Sequence, residues 1–277
     1  MSPAAGASPI SGLDTSRPNA ARMYDYMLGG KDNFAADRDA ADRLRAVAPE
    51  LSHTAWANRK FHQRATAWMA EAGITQFIDI GCGLPTMENT HQVVQRIMPG
   101  ARVAYVDYDP VVIVHAKALL VKGDDNAAAI LGDLRNPAGI LDALRDSGLL
   151  DLGKPCGVLI TAVLHFIPAA HDPVGAVRRL TGALARDSCL ALSHVTIDGV
   201  SADRAEMGLE VYRSANAQMN PRNKAEVTSF FDGMELLPPW PGAEPGVSRV
   251  SLWGRGKPPD PGEAASESWW AGVARKP

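Results

Sequence analysis

From residue 76 to residue 195 the chain repeats one pattern: a short continuous apolar run, a turn, then a stretch of helical periodicity. The runs are Gln76 to Ile80, Arg102 to Asp107, Ala127 to Gly132, Gly157 to Leu164 and Ser188 to Val195, with helical segments near 88–98, 110–121, 137–147 and 172–185. Runs that are continuous rather than alternating belong to strands covered on both faces. Strands that alternate with helices pair in parallel through right-handed crossovers, with helices on both sides of the sheet. Two later runs, Met234 to Leu237 and Trp269 to Ala274, bring the expectation to a seven-stranded, mostly parallel, doubly wound α/β sheet.

The segments outside that pattern divide the chain further. Residues 1–18 are mostly Ala, Ser, Gly and Pro, too poor in large apolar side chains to repay ordering, and read as a flexible arm. Residues 19–73 read as a helical cap. In it, Asn33 is placed to cap a helix ending near Pro49, and Ser52 or Thr54 to open a second that carries Phe61, Ala65, Trp68 and Met69 on one face. Residues 74–277 form the sheet domain, with a helical insertion at about 201–216, a helix from Lys224 to Phe231 and a Pro- and Gly-rich stretch at 238–263. A length of 277 residues with 46% apolar side chains suits one large domain with an appendage.

Charge and cysteine content narrow the function. Lys and Arg number 28 against 31 Asp and Glu, so the net charge of -3 provides no overall positive field for a nucleic-acid backbone. Three cysteines, at 82, 156 and 189, have no C-x-x-C spacing and make no disulfide framework, which fits a reducing compartment. With neither an export signal nor an apolar stretch of membrane-spanning length, the expectation is a cytoplasmic protein without a membrane or nucleic-acid partner.

In a sheet of this kind ligands bind beyond the carboxyl ends of the strands. The first strand runs into Asp79-Ile80-Gly81-Cys82-Gly83, where two glycines let the backbone turn tightly against a ligand. Asp107 ends the next strand and is placed to accept both ribose hydroxyls of a nucleoside; Asp133 ends the third and is placed to accept from an exocyclic amine. Asp109, before Pro110, suits a helix cap instead. A dinucleotide fingerprint needs a third glycine where Thr86 stands, so a nicotinamide oxidoreductase fits poorly. A ring of acids suits a ligand without phosphate and with a cationic centre, and S-adenosylmethionine, a sulfonium with an amino group, a ribose and an adenine, is such a ligand.

These motifs resemble those of class I S-adenosylmethionine-dependent methyltransferases of Rossmann-like fold over roughly residues 74–195, and Val163-Leu164-His165-Phe166-Ile167-Pro168 is similar to the fourth-strand motif of their small-molecule members. More narrowly, the stretch from Ala21 to Phe34, with Asn58-Arg59 and the stretch from Glu226 to Gly233, resembles an actinobacterial family of S-adenosyl methyltransferases once called a domain of unknown function. The resemblance implies the fold and the cofactor and supplies no acceptor. The expected cofactor residues are Asp79, Gly81, Cys82, Gly83, Asp107, Tyr108, Asp133, Leu134, Thr161 and Ala162, joined from the cap by Tyr26, Lys31 and Arg59. Lys31 or Arg59 would meet the cofactor carboxylate, and Tyr24 or Tyr26 would close over the site or simply pack. His165 stands as general base or as a packed histidine.

No [N/D]-P-P-[Y/F] follows the fourth strand, and Pro155-Cys156 precedes it, at the wrong end for a nucleophile. The expected activity is methyl transfer to an oxygen, nitrogen or carbon of a small molecule, with no metal. The alternatives are a cofactor-binding regulatory protein without turnover and, more remotely, the NAD-dependent oxidoreductase.

Overall fold

The computed structural model describes residues 14–85, 88–121, 123–215, 218–260, 262–264 and 267–277. Most of the expected N-terminal arm lies outside these residues. Three helices come first: α1 (Ala20–Met27), α2 (Ala35–Val47) and α3 (Leu51–Glu71). The alternation then runs β1 (Gln76–Ile80), α4 (Thr90–Ile97), β2 (Arg102–Asp107), α5 (Pro110–Ala116) with a π-helical turn Lys117–Val121, β3 (Ala127–Leu131), α6 (Pro137–Ser147), β4 (Gly157–Thr161), α7 (Pro173–Gly182) and β5 (Cys189–Val195). After α8 (Ala202–Arg213) and α9 (Lys224–Thr228) come β6 (Glu235–Leu236), β7 (Ser248–Arg249) and β8 (Trp269–Arg275).

The strand order is β3-β2-β1-β4-β5-β8-β6, with β7 also on β8. The pairs among β1 to β5 are parallel, and β8 runs antiparallel beside β5. The expected strand at Met234 to Leu237 is cut to two residues, and a short strand not expected from the sequence joins it within the Pro- and Gly-rich stretch. Glu235 and Leu236 pair with Arg275 and Ala274, and Ser248 and Arg249 pair further along the same edge of β8. Pro238 and Pro239, which lack N–H groups, end the first piece, so the described residues show eight strands in seven positions.

Several boundaries follow from capping chemistry. Asp109, Asn136 and Asp172 each stand before a proline and accept from the first turn of α5, α6 and α7. Asn33 does not cap α2. Its amide donates to Asp25 Oδ2 at 2.8 Å, and the helix starts after Phe34, whose N–H is taken by Asp37 Oδ2 at 2.8 Å. α3 opens at Leu51, before the expected Ser52 or Thr54.

Apolar side chains on the two faces of the sheet form separate cores, one under α6 and α7 and one under α3 and α4. A third cluster joins Met23 and Met27 of α1, Ala40 and Leu44 of α2 and Val211 of α8. Arg204 ties α8 to the start of α3 through Glu50 at 2.6 Å and to the Val47 carbonyl at 3.2 Å. The late insertion therefore packs on the N-terminal helices, beside the carboxyl ends of the strands.

Candidate active site

Strand order reverses between β1 and β4, so the crevice beyond their carboxyl ends is where a ligand has room. A cavity of about 460 Å³ lies there, within the usual range for small-ligand pockets. Its floor is the turn after β1. Gly81 and Gly83 have φ of +69° and +63°, a conformation glycine adopts without penalty. A Cβ on Gly81 would stand 2.2 Å from Val163 Cγ2, so this turn also needs glycine for its close approach to the β4 loop.

Asp107 holds the turn from the neighbouring strand. Its Oδ2 accepts from the Gly83 N–H at 3.1 Å and its Oδ1 from the Asp109 N–H at 3.0 Å, and with the Tyr108 N–H also donating to it the carboxylate still keeps acceptor capacity. Burial pushes this carboxyl above the usual range. Asp109 caps α5 through the Val111 N–H at 2.9 Å and accepts from Asn19 Nδ2 at 3.3 Å, fastening the N-terminal segment to the rim. Asp133 also lines the cavity and forms a two-pronged pair with Arg135 Nε at 2.9 Å to each oxygen. Leu134 is buried beside it, while the Tyr108 ring is 51% exposed.

Asp79 is 5% exposed, and burial pushes its carboxyl up to about 6. Its Oδ2 accepts from Thr90 Oγ1 at 2.6 Å; Thr90 Oγ1 lies 2.8 Å from His62 Nε2, and His62 Nδ1 lies 2.9 Å from Thr161 Oγ1. A threonine hydroxyl has one proton, so with Asp79 ionised and the imidazole neutral the order is fixed: Thr161 donates to His62, His62 Nε2–H to Thr90, and Thr90 to Asp79. Burial keeps the imidazole neutral, lowering it to about 3. Arg59, one helical turn before His62 on α3, donates to the Glu88 carbonyl at 3.2 Å and Asn89 Oδ1 at 3.3 Å, and its charge favours the ionised form of Asp79.

The cap supplies a different tyrosine from the one expected to bind cofactor. Tyr24 lines the cavity; its hydroxyl accepts from Asn58 Nδ2 at 2.8 Å and donates to the Ala55 carbonyl at 3.1 Å. Asn58 in turn accepts from Ser193 Oγ at 2.6 Å, so α1 is wired through α3 to β5. Tyr26 is about 200° further round the helix. It faces Asp42, its hydroxyl 3.4 Å from Oδ1, and the Arg45 guanidinium, 5.4 Å from its ring, outside the cavity lining. Lys31 is exposed on the turn after α1 and also lies outside the lining. The structure thus brings neither Tyr26 nor Lys31 to the cavity lining, and of the cap cations named in the sequence it places Arg59 there.

His165 reaches the cavity wall but is 1% exposed, packed against Phe166, His194 and Trp269 at 4.4, 5.4 and 5.1 Å between ring centroids. Burial, with His194 and Arg222 beside it, pushes the imidazole well below its usual range. A ring that holds a proton weakly is a poor general base, and of the two readings of His165 this geometry favours the packed histidine. Cys82 lines the turn as a thiol raised well above its usual range by burial. Ala162 follows β4 with φ of +62°, a left-handed conformation that turns the chain from Thr161 into the wall. His62, Thr90, Asn58 and Ser193 lacked any motif of their own; only Asn58 fell within a quoted resemblance. Among the described residues no cluster of His, Cys, Asp or Glu suits a metal, and no helix is long and apolar enough to cross a membrane.

Comparison with known proteins agrees with this geometry. The model of a family described as S-adenosyl methyltransferase matches residues 7–277. A DUF574 family protein from Streptomyces avermitilis is 38% identical with a TM-score of 0.85, covering 95% of this chain and 99% of that one. A candidate methyltransferase from Thermobifida fusca is 37% identical with a TM-score of 0.84, covering 97% and 98%. The plantazolicin methyltransferase BpumL, solved with a triazolic desmethylPZN analogue and SAH, shares the fold at 14% identity and a TM-score of 0.52, covering 93% and 96%. No curated protein matches the chain.

Proposed function

This chain belongs to the S-adenosyl methyltransferase family and is an S-adenosylmethionine-dependent enzyme, and from that premise we propose that it methylates a small molecule in the cleft above β1 and β4. The observation that carries the reading is the position of Asp107. It is buried, holds the Gly83 turn by one oxygen and keeps acceptor capacity. The donor set fits the cofactor. Asp107 would accept the ribose hydroxyls; Asp133 and Leu134, with the Tyr108 ring, would receive the adenine. The Gly81-Cys82-Gly83 backbone, with Thr161 and Ala162 facing it, would follow the methionine arm. Arg59 would meet the carboxylate and Asp79 would balance the ammonium, two charges already coupled across the cleft.

Bound there, S-adenosylmethionine supplies a methyl group on a sulfonium, an electrophile that needs no activation by the protein. The work left to this chain is alignment and exclusion of water, and well-aligned reactants alone gain about 7 kcal/mol or more. Asn19 on Asp109 and Tyr24 on Asn58 hold the N-terminal helix at the cleft, which supports a compact acceptor in place of an extended polymer. Calorimetry is expected to show saturable binding of S-adenosylmethionine and S-adenosylhomocysteine and none of NAD. Asp107→Ala is expected to weaken both by about 1.5–3 kcal/mol, the range for hydrogen bonds to a charged group. Undiminished affinity in that variant would remove Asp107 from the ribose site.

A further inference from the structure

We propose that the acceptor end of this cleft takes a flat aromatic molecule without negative charge, bearing the nucleophilic heteroatom, an inference that rests on the small-molecule reading above. Two parts of the cavity lining differ in chemistry. Asp79, Asp107 and Asp133 mark the strand ends given above to the cofactor, whereas another part of the lining is a file of rings: Tyr212 to Phe166 at 5.9 Å, Phe166 to His165 at 4.4 Å and His165 to Trp269 at 5.1 Å between centroids, all four lining the cavity. No member of that file carries charge at neutral pH, since burial keeps His165 unprotonated and the Tyr212 phenol protonated. An anionic acceptor placed against it would lose hydration and meet only ring faces, whereas an aromatic ring gains stacked or edge contacts.

The wall is held from behind. Arg222 Nη1 donates to the Leu164 carbonyl and Nη2 to that of Ile167, each at 2.9 Å, and the Asn220 N–H donates to the His165 carbonyl at 2.7 Å. Arg222 also donates to His194 Nε2 at 2.8 Å, fixing the ring that stands behind His165. The segment that presents Phe166 is thus fixed before a ligand arrives, which lowers the ordering cost of binding. The Tyr212 hydroxyl has no hydrogen-bond partner among the described residues. In the transfer, the acceptor lone pair forms the bond to the methyl carbon, the carbon–sulfur pair stays on sulfur, and any proton on the acceptor heteroatom passes to water.

The test is ligand-observed NMR on the full chain saturated with S-adenosylhomocysteine, using 4-methylphenol, 4-methylcyclohexanol and 4-methylbenzoate as probes. The phenol is expected to bind at least tenfold tighter than either other probe. Tyr212→Ala is expected to reduce that binding at least fivefold with S-adenosylhomocysteine affinity unchanged, and Tyr212→Phe to retain most of it. Equal binding of the saturated alcohol, tighter binding of the benzoate, indifference to Tyr212→Ala, or no probe binding to the loaded protein would each overturn the proposal. Failure of S-adenosylhomocysteine itself to bind would instead sink the underlying reading, and this proposal with it.

Discussion

Asp79 ends β1 inside a buried file of hydrogen bonds, and its burial gives the ligand-free protein a measurable pH dependence. Its folded pKa, about 6, lies above the ordinary 3.8. The folded state therefore binds the proton more tightly, so the stability from this group is full below about pH 4 and is lost as pH rises through 6. Two units correspond to roughly 3 kcal/mol. Asp79→Asn keeps an acceptor for Thr90 and removes the buried charge. In paired melts without ligand the variant is expected to gain on the parent from pH 4 to 6, hold that advantage at pH 7–8, and bind S-adenosylmethionine more weakly; a constant difference across pH would contradict this. The acids were readable in the sequence because strand ends in such a sheet face the ligand. His62 was not, because one histidine in a helical run says nothing about which strand end it meets.

At the scale of elements, the Gly29-Gly30 break after α1 shows what a sequence anomaly can and cannot disclose. Gly29 has φ of +81°, and a Cβ on Gly30 would lie 1.9 Å from Asp25 Oδ1. The buried Asp25 carboxylate accepts from the Asp32 N–H at 3.0 Å and from Asn33 Nδ2, so the pair of glycines serves a turn folded around this side chain. Gly30→Ala must displace a buried carboxylate and is expected to lower stability by about 1–3 kcal/mol in denaturant titration, the usual cost of overpacking. Gly29→Ala pays only the left-handed backbone term, roughly 1–2 kcal/mol. If the two variants are equal, the brace around Asp25 is unimportant. That the break had a purpose was legible, but which side of α1 faces the cleft was not: periodicity fixes the relative angle of Tyr24 and Tyr26, and only packing against α2 and α3 fixes the rotation. The strand at 234–237 shrank for a similar reason, since Pro238 and Pro239 ended pairing that the apolar run alone promised.

For the molecule as a whole, the alternation of runs and helices was enough to foretell the parallel sheet and therefore the cleft, because few topologies accommodate it. The closure of α8 onto α1 and α2 was not foreseeable, since that cluster joins helices from the two ends of the chain through side chains that also suit a lone amphipathic helix. The edge pieces β6 and β7, two residues each, are too short to carry a period. The central claim is that the strand ends bind the cofactor and the N-terminal helix closes over the same cleft. Hydrogen exchange of the full chain with and without S-adenosylhomocysteine tests it directly. Protection is expected to rise together in residues 19–25, 79–84 and 107–109, with the outward turn at 29–33 little changed. Protection confined to the strand ends, with residues 19–25 exchanging as before, would contradict it.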